Sequence, residues 1–460
     1  MTTTSPAATS PRGLRLGAWA ALAAAVCFTA AAEAWTPRAD EERRQVVEAE
    51  LGQAFSQVKG ELRRQRLDAM APSIFTFLRG SAGLYHRDLR DNGALDRSEF
   101  HLKAMTWLQG DAHVRNVGVF EDDRGDVVFD LDDFDQAWPG SYLVDVWRMA
   151  SSLEVFAHIV GVSQTGPRAA RAFTESYTET VLSFAGNDRE KDAQLTRKSA
   201  RGPARRLIAE TRDEEGWKVM VKEWTRGKGE ARRFRRLDDL EKLAPSTAAQ
   251  LIAAVARYAA ELDDFDDGYF RTKDVARRLK AGIGSRGVDR FYVLIEGPEG
   301  QRDVILDVKA QVEQPPLARL FAAWPAQKLT GGCRVALAEK ALLTRADDHL
   351  GCLEFGGQSF SVRRRNPYKK SMKAKKIDGA GDLEALARDL GVVLASAHAR
   401  ADRDFPQGGI ETSFDDALAD ALNTERRRRA FIDEVAAWSS GYARQVALDY
   451  AFFLDWSRRQ

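Results

Sequence analysis

The sequence contains few cysteines and histidines, and their arrangement excludes several classes of site. Three cysteines and six histidines are spread over 460 residues, and none of them shows the spacing of a zinc site. The G-x-S-x-G motif of serine hydrolases and the H-E-x-x-H motif of zinc proteases are also absent. Because the formal net charge is only +1, electrostatics give no reason to expect nucleic acid as a partner.

The N-terminus has the pattern of a signal peptide. Arg12 and Arg15 precede an apolar run at 16–35, which contains a small-x-small cleavage site ending at Ala34. We therefore predict a signal peptide over 1–34, a periplasmic or secreted mature protein, and no stable membrane span after cleavage. An uncleaved anchor is one alternative. The other alternative is a cytoplasmic protein, if translation starts downstream of Met1.

The segment 109–136 carries the strongest chemical signal. It sets Asp111 five residues before Asn116 and then predicts a strand, a turn and a second strand that ends in acidic residues. In phosphoryl transfer an aspartate orients the acceptor hydroxyl, and an asparagine and a further aspartate hold the metal on the phosphates. We predict Asp111 as the base and Asn116 as a magnesium ligand. We also include His113 among the catalytic candidates. Its side chain is expected to support the geometry of the loop rather than to transfer a proton.

The acidic residues after the second predicted strand are candidates for the same metal. Asp133 is the first candidate, because Asp-Phe-Asp resembles the Asp-Phe-Gly of protein kinases. Asp130 also fits, since many small-molecule kinases place the metal-binding aspartate at the end of this strand, and Asp135 is the third candidate. Four carboxylates within six residues, Asp132 included, repel one another unless a cation compensates them. The alternative is an acidic turn that faces solvent.

A second signal lies far downstream, at 281–311. Three glycines in G-x-G-x-x-G spacing lead into two predicted strands, and the second strand carries Lys309. Because the glycines precede a strand rather than a helix, they do not fit a dinucleotide-binding unit. In kinases a glycine-rich loop covers the phosphates and a strand lysine pairs with them. The predicted ATP-binding residues are Gly282, Gly284, Ser285, Gly287 and Lys309. The alternative is a glycine-rich hairpin with an edge lysine.

Several other residues have weaker signals. Glu339 and Glu313 are the candidates for a carboxylate that positions Lys309. Asp145, at the start of a predicted amphipathic helix, is interpreted as a brace for the catalytic loop. His398 lies on an apolar helical stripe and is interpreted as a packed core residue. The segment 86–92 imitates a kinase catalytic loop in its letters, but no strand-turn-strand follows it.

Two cysteines remain after the predicted cleavage, Cys333 and Cys352. They could pair in an oxidising compartment, although their spacing alone does not establish a disulfide.

The order of the motifs is the reverse of that in ordinary kinases, because the catalytic loop precedes the glycine loop. The motifs FLRG, GDAHVRN, FDLDDFD, GIGSRG, VKA and LASAHAR together resemble the bacterial family called domain of unknown function 2252, over about residues 70–410. The GDxHxxN wording also resembles the aminoglycoside and choline phosphotransferases. The chain departs from the family pattern at Lys309, where KEA is expected and KAQ stands. It departs again at Glu339-Lys340, where a Gln-Arg pair is more usual.

The resemblance implies a helix-rich α+β chain with a protein-kinase-like two-lobed fold that is circularly permuted. We predict a catalytic-loop lobe over 35–270, a β-rich glycine-loop lobe over 271–380 and C-terminal helices over 381–460. The predicted helices lie at about 40–70, 144–160, 168–184, 244–263, 333–345, 382–400 and 426–456.

The predicted function is phosphoryl transfer from a magnesium–ATP donor to an unknown small-molecule or protein acceptor. A periplasmic location conflicts with this chemistry, because no ATP pool is expected there. The alternatives are an exported, non-catalytic protein that binds a ligand or cation on the same scaffold, and a metal-dependent hydrolase that uses the same aspartates.

Overall fold

The computed structural model describes residues 35–101, 104–212, 216–262, 265, 268–279, 288–297, 303–321 and 329–460. The predicted signal peptide therefore lies outside the described residues. The fold is α+β. The strands are β1 Thr106–Leu108, β2 Val117–Glu121, β3 Val127–Leu131, β4 Trp138–Gly140, β5 Leu195–Thr196, β6 Thr225–Arg226, β7 Arg233–Phe234, β8 Leu240–Lys242, β9 Thr272–Arg278, β10 Arg290–Ile295, β11 Val304–Ala310, β12 Gly351–Phe355, β13 Gln358–Arg364 and β14 Lys370–Ser371.

The α-helices of the described residues are α1 Glu41–Ala54, α2 Gly60–Met70, α3 Ile74–Gly80, α4 Ala82–Asn92, α5 Ala94–Arg97, α6 Leu143–Ile159, α7 Gly166–Phe184, α8 Gly202–Arg212, α9 Gly216–Trp224, α10 Pro245–Ala259, α11 Gly331–Leu342, α12 Ala380–Arg400, α13 Phe414–Ala421 and α14 Glu425–Ser457. The prediction of one helix over 40–70 is wrong. The chain leaves α1 at Phe55 and restarts at Gly60, whose φ of +56° suits glycine.

The larger sheet is antiparallel, with the strand order β12-β13-β11-β10-β9-β8. Side chains alternate between its faces. On β10, Phe291 and Val293 belong to the same core as Val255 of α10. Tyr292, between them, packs in a different core with Met220 of α9. Helices thus cover both faces, which explains why β10 is apolar from Phe291 to Ile295. Strands β9 to β13 fall within the predicted segment 271–380, and the predicted bounds of the lobes stay predictions.

A smaller sheet, in the order β14-β2-β3-β5, contains the hairpin that follows the loop of Asp111 and Asn116. Val117 of β2 pairs with Leu131 of β3. The turn between the strands is closed by Asp122, whose Oδ1 accepts the backbone N–H groups of Arg124 and Asp126 at 3.0 and 2.8 Å. The predicted strand, turn and second strand are therefore confirmed.

Helices α6, α7, α12 and α14 contribute buried side chains to the main core, which also includes Val119 and Phe129 of this hairpin. Gly391 of α12 packs directly on α7, where an added Cβ would lie 2.5 Å from the Phe173 carbonyl oxygen. Only glycine fits at this distance. No helix of the described residues is long and apolar enough to cross a membrane.

The two cysteines of the described residues are bonded to each other. Cys333 of α11 and Cys352 of β12 form a disulfide with a Cα–Cα distance of 4.8 Å, within the usual range. The bond ties the helix that follows β11 to the edge of the larger sheet.

Candidate functional site

The loop that carries Asp111 leaves β1 in a tight bend at Gly110. Its φ is +83°, and an added Cβ would lie 2.1 Å from the Gln136 carbonyl oxygen. Any side chain at this position would therefore clash with the backbone just beyond the acidic cluster. The glycine lets the loop carrying Asp111 pack against the end of the hairpin segment.

Asp145 fixes this bend from the first turn of α6. Its carboxylate accepts the backbone N–H groups of Gln109 and Gly110 at 2.6 and 2.9 Å. His398 donates from Nε2 to the same carboxylate at 3.3 Å, and its Nδ1 accepts the Tyr177 hydroxyl at 2.8 Å. The predicted roles of Asp145 as a brace and of His398 as a packed, hydrogen-bonded residue are confirmed.

Asp111 is buried and held by one arginine. Arg148 donates from Nε and Nη2 to Asp111 Oδ1 at 3.0 and 2.8 Å. Burial raises the pKa of Asp111 to about 6, although the Arg148 guanidinium lowers it. A carboxylate with this pKa is ionised at neutral pH and still basic enough to accept a proton from a hydroxyl group.

His113 and Asn116 shape the loop around Asp111. Asn116 donates from Nδ2 to the Asp111 carbonyl oxygen at 3.1 Å, and its amide oxygen makes no hydrogen bond within the described part of the chain. His113 accepts the Arg115 N–H at Nδ1, and its Nε2 lies 3.7 Å from Asp111 Oδ2. Burial lowers the pKa of His113 well below its ordinary value, so the ring stays neutral and acts as a support for the loop.

The end of the hairpin is tied to the same loop by backbone contacts. Gln109 donates from its side-chain amide to the carbonyl oxygen of Asp133. The Asp132 N–H donates to the carbonyl oxygen of Asn116 at 3.0 Å. The base candidate and the metal-ligand candidates therefore belong to one rigid arrangement.

Asp133 has the carboxylate best suited to a metal. It is half-buried, and its oxygens make no hydrogen bond to any described residue. Burial and the nearby Asp135 carboxylate raise the pKa of Asp133. A cation at this position would remove the repulsion between the two carboxylates.

Lys309 pairs with Asp135. The ammonium of Lys309 donates to Oδ2 of Asp135, and Gln311 donates to Oδ1 at 3.1 Å. Arg334 of α11 holds the backbone of the same segment by donating to the carbonyl oxygens of Asp135 and Ala137. Burial opposes ionisation of Asp135, but Lys309 and Gln311 outweigh it and lower the pKa of this carboxyl.

A cavity of about 20 Å³ lies between these groups and is lined by Asp133, Asp135, Lys309 and Gln311 among others. This volume suits a single water molecule or ion. A neighbouring cavity of about 120 Å³ shares Arg363 and other lining residues with it. The basic residues that line the larger cavity are Arg290, Arg345, Arg363, Arg364, Arg365 and Lys369.

Asp130 does not line either cavity. Its Oδ1 accepts the Leu131 N–H at 2.8 Å, and burial raises its pKa to about 6 while the buried Arg400 guanidinium lowers it. The structure thus groups Asp133 and Asp135 with Lys309 and leaves Asp130 beside Arg400.

Neither glutamate considered for Lys309 contacts it. Glu339 of α11 pairs with Arg363 of β13, at 3.2 Å between Oε1 and Nη1. Glu313 accepts the N–H of Gly331 at 2.9 Å and so caps the first turn of α11. The glycine-loop residues predicted to bind phosphate, Gly282, Gly284, Ser285 and Gly287, lie outside the described residues.

The segment that imitates a kinase loop is part of α4. Asp88 is buried and accepts Arg43 Nη1 and Nη2 at 2.5 and 2.9 Å. Arg43 also pairs with Asp449 of α14. His86 donates from Nε2 to the Gly110 carbonyl oxygen at 2.7 Å. Asp88 therefore ties three helices together, whereas His86 contacts the loop that carries Asp111.

Sequence reasoning missed Arg148. Arg148 follows Asp145 by three residues and so shares its helix face, a spacing that could have identified it. Arg79 of α3 faces the carboxylates of Asp111 and Asp133, and burial lowers its pKa. Its buried Nε has no hydrogen-bond partner, so this guanidinium has donor capacity left for a ligand.

The chain belongs to the bacterial family described as "Uncharacterized protein conserved in bacteria (DUF2252)", whose model matches residues 59–456. The match covers every described site residue. Comparison with curated proteins and with solved structures gives no match.

Proposed function

We propose that this member of the DUF2252 family is a phosphotransferase that moves a phosphoryl group from a magnesium–nucleotide donor to an acceptor hydroxyl. The ion pair between Lys309 and Asp135 carries this proposal. It brings the strand lysine and the acidic cluster, 174 residues apart in sequence, to one cavity that Asp133 also lines.

Each residue has a chemical role in the proposed reaction. Asp111 accepts the proton of the acceptor hydroxyl while the hydroxyl oxygen bonds to the transferred phosphorus. At the same time the bond from phosphorus to the bridging oxygen of the donor breaks. The electron pair of that bond leaves with the nucleoside diphosphate. Lys309 and Arg79 would pair with phosphate oxygens, which carry the charge of the transition state.

Asp133, Asn116 and Asp135 are the residues that would hold magnesium. Their donor atoms are oxygens, which this ion prefers, and magnesium usually takes only one or two carboxylates together with substrate phosphates. When bound, the ion neutralises the phosphates during transfer. Asp135 would join it only by sharing its carboxylate with Lys309.

The arrangement of strands gives further support. Lys309 lies on β11, the third strand counted from β9, and α11 follows it with the buried Glu339. Protein kinases likewise carry their lysine on the third strand and pair it with a helix glutamate. In this chain Lys309 pairs with Asp135 and Glu339 with Arg363, so donor binding would require these ion pairs to exchange partners.

That pairing also favours a second candidate function, a non-catalytic ligand-binding protein on the same scaffold. Because Lys309 pairs with Asp135 and Glu339 pairs with Arg363, the kinase-like pair of lysine and glutamate is not formed. The cavity could then bind an anion or cation without phosphoryl transfer. The predicted export, which would remove the protein from cytoplasmic ATP, points the same way.

Phosphoryl transfer decides between the two. The full-length chain is incubated with magnesium and ATP labelled in the γ-phosphate, together with sugars, amino alcohols and serine-containing proteins as acceptors. We expect label on one acceptor class and its loss in Asp111→Asn, by about 10²-fold or more. Asp123→Asn, an exposed carboxylate in the hairpin turn, serves as the matched control. Nucleotide binding without transfer to any acceptor would favour the binding protein.

A further inference from the structure

A second group of acidic side chains lies outside the proposed transfer site. Asp188 and Glu190 belong to the turn between α7 and β5, and Asp404 follows α12. One carboxylate oxygen from each residue lies within 4.8 Å of the corresponding oxygens of the other two. Three carboxylates can therefore converge on one point, although convergence alone does not make a metal site.

Glu190 supplies a second, independent observation at this cluster. The residue has 0% exposed surface, and neither of its carboxylate oxygens has a hydrogen-bond partner. Burying a carboxylate without a partner is unfavourable, so such groups are usually paired or bound to a metal. The unsatisfied oxygens face a cluster that has two further carboxylates.

Neighbouring cations do not satisfy Glu190. Arg400 donates its guanidinium N–H groups to the carbonyl oxygens of Glu190, Ala193 and Leu342. The Lys191 ammonium lies 2.8 Å from an oxygen of Asp188 and 3.7 Å from one of Asp404. Lys191 neutralises the outer carboxylates, but it does not bond to Glu190.

We propose that Asp188, Glu190 and Asp404 form a binding site for a hard divalent cation of the calcium type. All three ligands are carboxylates, and no histidine or cysteine joins the cluster, which favours a hard cation over a soft transition metal. Calcium accepts six to eight oxygens in variable geometry, so water would complete the shell. With three protein ligands we expect weak binding, with a Kd of about 10⁻⁴ to 10⁻³ M.

Lys191 competes with the cation in this proposal. Its side chain is 45% exposed, so it can turn into solvent when a cation binds between the carboxylates. Removing its charge in Lys191→Gln should therefore tighten cation binding. A purely structural role of the acidic cluster predicts no such gain.

The test is a calcium titration of the full-length chain after treatment with a chelator, followed by calorimetry and by thermal unfolding. We expect saturable binding that weakens by about tenfold or more in Glu190→Gln and tightens in Lys191→Gln. Asp123→Asn, an exposed carboxylate in the hairpin turn that belongs to neither site, should bind calcium as wild type does. Without calcium, Glu190→Gln should unfold at a higher temperature than wild type, and with calcium the order should reverse.

Equal calcium affinity in wild type and Glu190→Gln would overturn the proposal. So would the absence of any heat or thermal shift up to about 10 mM calcium, tenfold above the weakest expected Kd. If Glu190→Gln does not fold, Asp404→Asn, whose side chain is 22% exposed, makes the same comparison at the edge of the site. Affinity unchanged in that variant would then refute the site.

Discussion

The ammonium of Lys309 and the carboxylate of Asp135 form a partly buried ion pair that joins the larger sheet to the acidic cluster. Lys309 is 13% and Asp135 28% exposed, so solvent screens the pair only in part. Asp135, predicted as a third metal ligand, is thus the direct partner of Lys309, which was predicted to bind phosphate. A ligand that enters this cavity must share or displace that contact.

The pair should be energetically coupled. Lys309→Met and Asp135→Asn each leave one charge without its partner, whereas the double variant removes both charges. We expect the two single losses of unfolding free energy to exceed the loss in the double variant by about 0.5–3 kcal/mol. Urea denaturation of the four proteins measures this coupling. Additive losses would mean that the contact contributes nothing to stability.

Asp111 should control the pH dependence of transfer. Its pKa of about 6 lies above its ordinary value of 3.8. Because the base must be ionised, the rate should reach half its maximum near pH 6 and level at higher pH. The contribution of Asp111 to the free energy of unfolding changes with pH in the opposite direction. The folded state binds a proton that the unfolded chain releases, so this group's contribution falls as pH rises from 3.8 to about 6. Asp111→Asn should remove this group's contribution to both dependences.

Arg148 provides a control for that assignment. Because its guanidinium lowers the pKa of Asp111, Arg148→Gln should raise that pKa and move the rise of the pH–rate profile to higher pH. A lower rate with an unchanged profile would mean that Arg148 acts only through packing.

The Arg43–Asp88–Asp449 network should matter for stability alone. Asp88→Asn removes one charge from a buried group that holds α1, α4 and α14 together, and breaking a buried ion pair costs about 3–5 kcal/mol. Chemical denaturation should show this loss, while nucleotide affinity at a temperature where the variant is folded stays at the wild-type value. A selective loss of nucleotide binding would instead assign this segment to the site.

The disulfide between Cys333 and Cys352 should stabilise the edge of the larger sheet. It closes a loop of 19 residues, for which chain entropy predicts about 3 kcal/mol. Mass spectrometry of the peptides without reductant should find the two cysteines linked, and Cys333→Ser/Cys352→Ser should unfold at lower denaturant. Two free thiols in protein purified from its native compartment would contradict the bond and weaken the prediction of export.

Local sequence signals predicted the loop, the hairpin and the long helices because each depends on near neighbours. The D-x-x-x-x-N spacing and the turn residues around Asp122 are of this kind. The bend at Gly110, by contrast, is required by the backbone of Gln136, and the partner of Lys309 lies 174 residues away. Such contacts depend on how the two sheets are packed. This explains why Glu339 and Glu313 were considered for Lys309, whereas Asp135 fills that position.

The break between α1 and α2 was missed for a similar reason. Val47 and Leu51 of α1 and Leu67 of α2 are all buried in the main core, so an apolar pattern continues through the break. Periodicity alone therefore predicts one helix, although residues 55–59 are not helical and Gly60 has a positive φ.

The central claim is that Lys309 and Asp133 bind one magnesium–nucleotide. A thermal-shift titration of the full-length chain with ATP, with and without magnesium, tests it beside Lys309→Met, Asp133→Asn and the exposed control Lys375→Met. A ligand at 100 times its Kd should add about 2.7 kcal/mol of stability. We predict a magnesium-dependent shift in wild type and in Lys375→Met that is lost in both site variants. The absence of any shift at millimolar nucleotide, with the protein folded, would contradict the account.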